Sequence, residues 1–185
     1  MPLENIKDAN FIVLHGESDA GKTTTLNELI ISLIDKNKND VGKIEVFKKN
    51  FKKIKDNFNN NEELKLYLEK VNNQSKTRKK NKEYDHIYSF EYREESVLVI
   101  TEGDDILKLL GTLVHIFFLY NKIDIVVCAA RESFYNNFVE DLSKIGIDVK
   151  KVYKEQKIKE RDKTKHNVAN KEMAKKILEK IDKLI

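Results

Sequence analysis

Short unbroken apolar runs alternate along the chain with stretches of helical spacing, and that alternation predicts an α/β order of elements. Phe11, Ile12, Val13 and Leu14 suit a buried strand over 10–15, and Leu26, Leu29, Ile30, Leu33 and Ile34 then recur at i, i+3, i+4, i+7 and i+8. That spacing gives one apolar face to a helix running from 22 to 35. Ile44 and Val46 alternate with charged residues in a short strand at 43–47. Residues 48–82, rich in Lys, Asn and Glu, read as an insertion whose one amphipathic helix carries Leu64, Tyr67, Leu68 and Val71. The run 72–82 has almost no apolar anchor.

Alternation resumes at 86–92, and a polar reversal at 93–96 leads into 97–101, a run apolar enough to be buried on both faces. The two strands predict an antiparallel hairpin. Residues 106–120 read as a core helix capped by Asp104 or Asp105, and 125–130 as another buried strand. A helix from Ser133 is expected to turn Phe134, Phe138, Leu142 and Ile145 inward and to end at Gly146. A weaker strand at 149–153 and a helix at 168–184, with Met173, Ile177, Ile181 and Leu184 on one face, complete the order. Strands alternating with helices through right-handed crossovers predict a three-layer α/β/α sandwich, its mainly parallel sheet carrying one antiparallel hairpin strand. A ligand is expected beyond the carboxyl ends of the strands, and 185 residues suit a single domain over 1–185.

Charge changes this picture more than composition does. Residues 43–82 hold 13 Lys/Arg against 5 Asp/Glu and residues 150–185 hold 13 against 6, whereas the rest of the chain holds 9 against 20. An acidic core therefore carries two basic segments, which suit a nucleic acid or another acidic partner. The stretch 154–165, with its lysines and Arg161, reads as a basic lid or a solvated charge run. One cysteine, Cys128, excludes an internal disulfide and suits a reducing cytoplasm. No signal-peptide pattern opens the chain, and the longest apolar stretch, 106–120, is broken by Lys108, Gly111, Thr112 and His115, so no membrane span is expected. The four histidines show no metal spacing, Cys128 reads as a core residue, and Ser18 lacks the surroundings of a hydrolase nucleophile.

The candidate chemistry lies between the first strand and the first helix. Gly16, Glu17, Ser18, Asp19, Ala20, Gly21, Lys22 and Thr23 fit G-x-x-x-x-G-K-[ST] at every fixed position. Glycines at 16 and 21 allow a turn that wraps a polyphosphate, and the loop amides together with the helix N-terminus supply donors to it. Lys22 adds a charge near the β- and γ-phosphates, Thr23 offers a hydroxyl to magnesium, and Thr24 continues the site into the helix. Here the chain resembles the P-loop nucleoside triphosphatase superfamily, over residues 11–34 and, more loosely, in its order of elements through 153.

That resemblance implies an acid at the end of a neighbouring buried strand, and Thr101-Glu102-Gly103-Asp104-Asp105 resembles such a Walker B segment. Glu102 is the candidate for the metal shell, with Asp104 the alternative ligand, the group that orients the attacking nucleophile, or a cap; Asp105 reads as a cap. The hairpin ahead of this strand resembles the kinase-GTPase division. The D-x-x-G of GTPases is missing, and Asn121-Lys122-Ile123-Asp124 matches their N-K-x-D but runs straight into a strand. ATP is therefore the expected nucleotide, with GTP the alternative. Arg131, just past a strand's carboxyl end, is a candidate to neutralise phosphate charge in the transition state or to pair with Glu132 or Asp104. The expected activity is magnesium-dependent binding of ATP with hydrolysis or transfer of its γ-phosphate. The alternatives are a small-molecule or nucleotide kinase and a GTPase-like switch or nucleic-acid-associated module using the basic segments.

Overall fold

The computed structural model describes residues 8–16, 21–36, 40–48, 58–74, 86–103, 105–120, 122–156 and 163–185. Six strands form one mixed sheet: β1 (Asn10–Gly16), β2 (Glu45–Lys48), β3 (His86–Tyr92), β4 (Glu95–Ile100), β5 (Ile125–Arg131) and β6 (Val152–Gln156). Their order across the sheet is β2-β3-β4-β5-β1-β6. β1 pairs in parallel with β5 and β6, and β4 pairs in parallel with β5, whereas β3 runs antiparallel to both β2 and β4. One strand, β3, thus opposes the other five.

Five α-helices accompany the sheet: α1 (Lys22–Lys36), α2 (Asn61–Gln74), α3 (Ile106–Leu119), α4 (Tyr135–Lys144) and α5 (Lys163–Leu184). Each strand alternates its side chains between two cores. Ile12, Leu14, Val97, Val99, Ile125 and Val127 face the core formed with α1, α2 and α5. Phe11, Val13, Leu98, Ile100, Val126 and Cys128 face the core formed with α3 and α4. Helices on both faces of a mostly parallel sheet are compatible with the three-layer arrangement expected from the pattern. Burial pushes the Cys128 thiol up to about 12, so it packs as a small apolar residue.

Several boundaries depart from the sequence pattern for local reasons. The β3–β4 reversal is a two-residue turn with Arg93 and Glu94 at φ 49° and 69°, a conformation that usually calls for Asn or Gly. Arg93 holds it by pairing with Asp40 at 3.3 Å and Asp182 at 3.1 Å while stacking 5.0 Å from the Tyr92 ring centre. A 3-10 turn at Glu132–Phe134 precedes α4 and changes the phase of the pattern. Phe138 and Leu142 reach the core, Tyr135 and Ile145 pack beside it, and Phe134 does not join it. Gly146, at φ 87°, then ends α4 as expected. Val149 does not open the last strand, because Asp148 accepts the Lys150 N–H at 2.9 Å and fixes a 3-10 turn at Val149–Lys151. α5 begins five residues before the expected 168, at Lys163.

Candidate functional site

β1 delivers the chain to the carboxyl edge of the sheet at Gly16, which lies opposite Arg131 in the β1–β5 register. Glu17, Ser18, Asp19 and Ala20 lie outside the described residues. The backbone re-enters at Gly21 with φ 74°, open to glycine at little cost, and the Gly21 carbonyl accepts the Thr25 N–H at 2.9 Å to start α1. Lys22 is 6% exposed and its ammonium donates back to the Gly16 carbonyl at 3.2 Å, so its charge is held at the end of β1. The Thr25 hydroxyl lies 3.1 Å from both the Gly21 carbonyl and Asn170 Oδ1, which joins the helix start to α5.

The acid reaches this place by a route the sequence does not reveal. The P-loop resemblance implies an acid after a strand neighbouring β1, but β5 lies between β1 and β4, the strand that Glu102 follows. The chain leaving β4 therefore crosses the end of β5. Thr101 is pinned first, since its hydroxyl accepts the His86 N–H at 2.9 Å and its own N–H donates to the His86 carbonyl at 3.1 Å. Gly103 then passes directly over β5: a Cβ there would stand 2.3 Å from the Ala129 carbonyl oxygen, and its carbonyl accepts the Arg131 N–H at 3.0 Å. This crossing brings Thr101 to α1, where the Thr23 hydroxyl donates to its carbonyl at 3.5 Å. Glu102, 9% exposed, sits between those two anchors.

Asp104 lies outside the described residues. Asp105 is the helix cap, accepting the Leu107 and Lys108 N–H groups at 3.1 and 3.3 Å; its bond from the Lys108 side chain first, and these backbone bonds after it, hold its carboxyl below the usual range. Glu132 is engaged away from Arg131: its carboxylate accepts from His15 Nδ1 and lies 3.5 Å from Lys154 Nζ. Lys154 in turn sits 4.6 Å from the Tyr135 ring centre.

His15, which shows no metal spacing in the sequence, lies one residue before the loop and is 1% exposed. Burial, with the Lys154 and Lys22 charges adding, lowers its pKa to about 4. The ring is therefore neutral near pH 7, donates through Nδ1, and leaves Nε2 buried without a partner. No spacing rule could have flagged the pair, because Glu132 is 117 positions away.

The N-K-x-D match lies at the other end of the sheet. Asn121 is outside the described residues. Asp124 accepts the Ser96 N–H at 2.9 Å and pairs with Lys122 at 2.9 Å, and its carbonyl accepts the Asn10 N–H at 2.8 Å. These are the amino-terminal ends of β4, β5 and β1, and α3 runs as a helix to Leu119, so the motif keeps the context that weakened it as a base reader.

A polar cleft of about 460 Å³ opens beside Thr24 between α1, α2 and α5, with Glu28, Glu69, Asn72, Asn167 and Lys171 on its walls. Of the basic segments, the described part of α5 places Lys171, Lys175, Lys176 and Lys183 on its exposed side among Glu172, Glu179 and Asp182. Most lysines of 48–57 and 75–82 lie outside the described residues. Among the described residues no three His, Cys, Asp or Glu side chains gather as a metal cage, and no helix is long and apolar enough to cross a membrane. Compared with known proteins, the chain matches no family model, no curated protein and no solved structure.

Proposed function

We propose that the chain binds a magnesium nucleoside triphosphate, ATP in the first instance, at the carboxyl edge of β1, β4 and β5, and hydrolyses or transfers its γ-phosphate. The observation that carries this reading is the contact of the Thr23 hydroxyl, next to Lys22, with the carbonyl of Thr101, next to Glu102, across 78 positions of sequence. A P-loop type of site requires this pairing of a phosphate-binding helix start with a buried acid. Thr23 and Glu102 are suited to hold the ion, because a hydroxyl and a carboxylate are hard oxygen donors and the Thr23 hydroxyl touches the residue next to Glu102. Magnesium bound there supplies charge that neutralises the β- and γ-phosphates.

Within this reading, Gly16, Gly21 and the 17–20 backbone wrap the phosphates, and Lys22 supplies the cation. Arg131, at the end of β5 opposite Gly16, is the candidate for charge developing on the transferred group. Asp104 keeps its candidacy for orienting the attacking oxygen. Adenine is preferred over guanine because Asp124 is committed to the amino edge of the sheet.

A kinase is the second reading, and the cleft beside Thr24 supports it by offering a hydrogen-bonding wall for an acceptor or for the nucleoside. The two are separated by following γ-labelled ATP in the presence of magnesium. Release of inorganic phosphate from water alone supports hydrolysis, and turnover that depends on an added acceptor supports transfer. Label release that persists unchanged in Lys22→Ala contradicts both.

A further inference from the structure

α2 and α5 both pack against α1, and the space left between them, over α1, is the cleft of about 460 Å³ that opens beside Thr24. Its floor is α1 from Thr24 to Asp35, and its walls are α2 around Asn72 and α5 around Asn170. The volume lies within the roughly 300–1,000 Å³ of small-molecule sites, but the lining inverts their usual apolar character. Ile31 is its one apolar side chain, and among the described residues no aromatic ring lines it.

Part of the lining is engaged within the protein and gives the cleft its shape. Asn72 donates to Glu28 Oε1 at 2.8 Å and accepts from Asn27 at 3.1 Å, and the Asn170 carbonyl oxygen accepts from the Thr25 hydroxyl at 3.1 Å. The rest is open. Thr24, Ser32, Asn73, Asn167 and Lys171 make no hydrogen bond or ion pair among the described residues. Two hydroxyls and two carboxamides that both donate and accept therefore line the space, and they match ligand hydroxyls, which also do both. A flat base needs a ring or an apolar surface to lie on, and this lining does not offer one.

Charge narrows the class of ligand. Glu28, Asp35 and Glu69 set three carboxylates on the lining against the ammonium of Lys171. Lys65, which pairs with Asp35 at 2.5 Å and acts on Glu69, still leaves acid in excess. An acidic lining repels phosphate and carboxylate ligands and attracts an amine. We propose that this cleft binds a small polyhydroxylated amine of the amino-sugar type. The site requires no bound nucleotide, so the inference goes beyond nucleotide binding; that such a compound is the phosphate acceptor rests on the kinase reading.

The test is an NMR titration of the isotope-labelled full chain with glucosamine, followed at the side-chain amides of Asn73 and Asn167. Both should shift and saturate, in wild type and in Lys22→Ala alike, so a failure here is distinct from a failure of the nucleotide site. Glucose, which lacks the amine, should bind on the order of tenfold more weakly, and gluconate more weakly still. Glu69→Gln should weaken glucosamine binding and Lys171→Gln should tighten it, and neither side chain is buried, so both variants keep the fold. No saturable shift at either amide overturns the proposal, as does binding indifferent to both substitutions. Putrescine bound as tightly as glucosamine would reduce the site to charge alone, and adenosine moving the same amides would give the cleft to a nucleoside; either result overturns it as well.

Discussion

At the carboxyl edge of the sheet, Thr23, next to Lys22, meets the carbonyl of Thr101, next to Glu102, from a distant segment. At the amino edge, Lys122 and Asp124 meet Glu95 and Ser96. Both edges carry a lysine, an acid and a short motif that matches a nucleotide-binding pattern by spacing. They differ in what the acid is attached to. Burial pushes the Asp124 carboxyl up, but the Ser96 N–H, Lys122 and Glu95 outweigh it and hold it below its ordinary value. Asp124 thus ties the starts of three strands together. The backbone on either side of Glu102 is anchored too, with Thr101 fixed to His86 and Gly103 fixed to Arg131. The two motifs therefore differ in setting: one acid is a structural tie at the strand starts, and the other lies in an anchored crossing next to a residue that contacts α1.

The largest effect expected from breaking this contrast is Gly103→Ala. Its Cβ would meet backbone at 2.3 Å, and backbone cannot rotate aside, so the crossing over β5 must shift. Overpacking of this kind costs about 1–3 kcal/mol, and magnesium-dependent nucleotide binding should fall with it. Chemical denaturation with and without Mg-ATP checks both losses; wild-type stability in the variant would mean that the crossing is not held as described.

The pH dependence should follow His15. Its folded value, about 4, lies below the ordinary 6.5, so the unfolded chain takes up the proton first. The stabilisation is therefore complete above pH 6.5 and is lost as pH falls toward 4, amounting to at most about 3 kcal/mol. His15→Gln should flatten the stability profile in that window relative to wild type, and parallel profiles would contradict the assignment.

Substitutions of the two acids sharpen the comparison directly. Glu102→Gln should leave unliganded stability nearly unchanged and weaken the magnesium-dependent part of ATP binding by about tenfold, the loss of a charge-assisted contact. Asp124→Asn should do the reverse, costing about 1 kcal/mol of stability with ATP affinity intact. Calorimetric titration and urea melts of the two variants give the four values; a binding defect in Asp124→Asn would reopen residues 121–124 as a base reader. The smallest effect belongs to Glu94→Gly, which should stabilise the β3–β4 turn by about 0.5 kcal/mol by relieving its positive φ, as a shift in the urea midpoint would reveal.

What could be read in advance was local. The helical spacing of Leu26, Leu29, Ile30 and Leu33 and the double-faced run at 97–100 predicted α1 and β4 because each pattern is written within one element. The strand order was not legible, since β5 enters between β1 and β4 only through pairing across the sheet. The need for glycine at 103 is set by Ala129, 26 positions later, and the His15–Glu132 pair joins the ends of two strands. Residues 16–23 carry the phosphate-loop pattern within eight positions, whereas the crossing that brings Thr101 to Thr23 is visible only in three dimensions.

The most direct test is a thermal-shift titration of wild type and Lys22→Ala with ATP and GTP, each with and without magnesium, because a ligand of the native state raises the melting temperature. The account predicts a magnesium-dependent rise for wild type, larger with ATP, and an affinity in Lys22→Ala reduced on the order of 100-fold. No rise with either nucleotide, or an equal rise in both proteins, would contradict a nucleotide site at the carboxyl edge of the sheet.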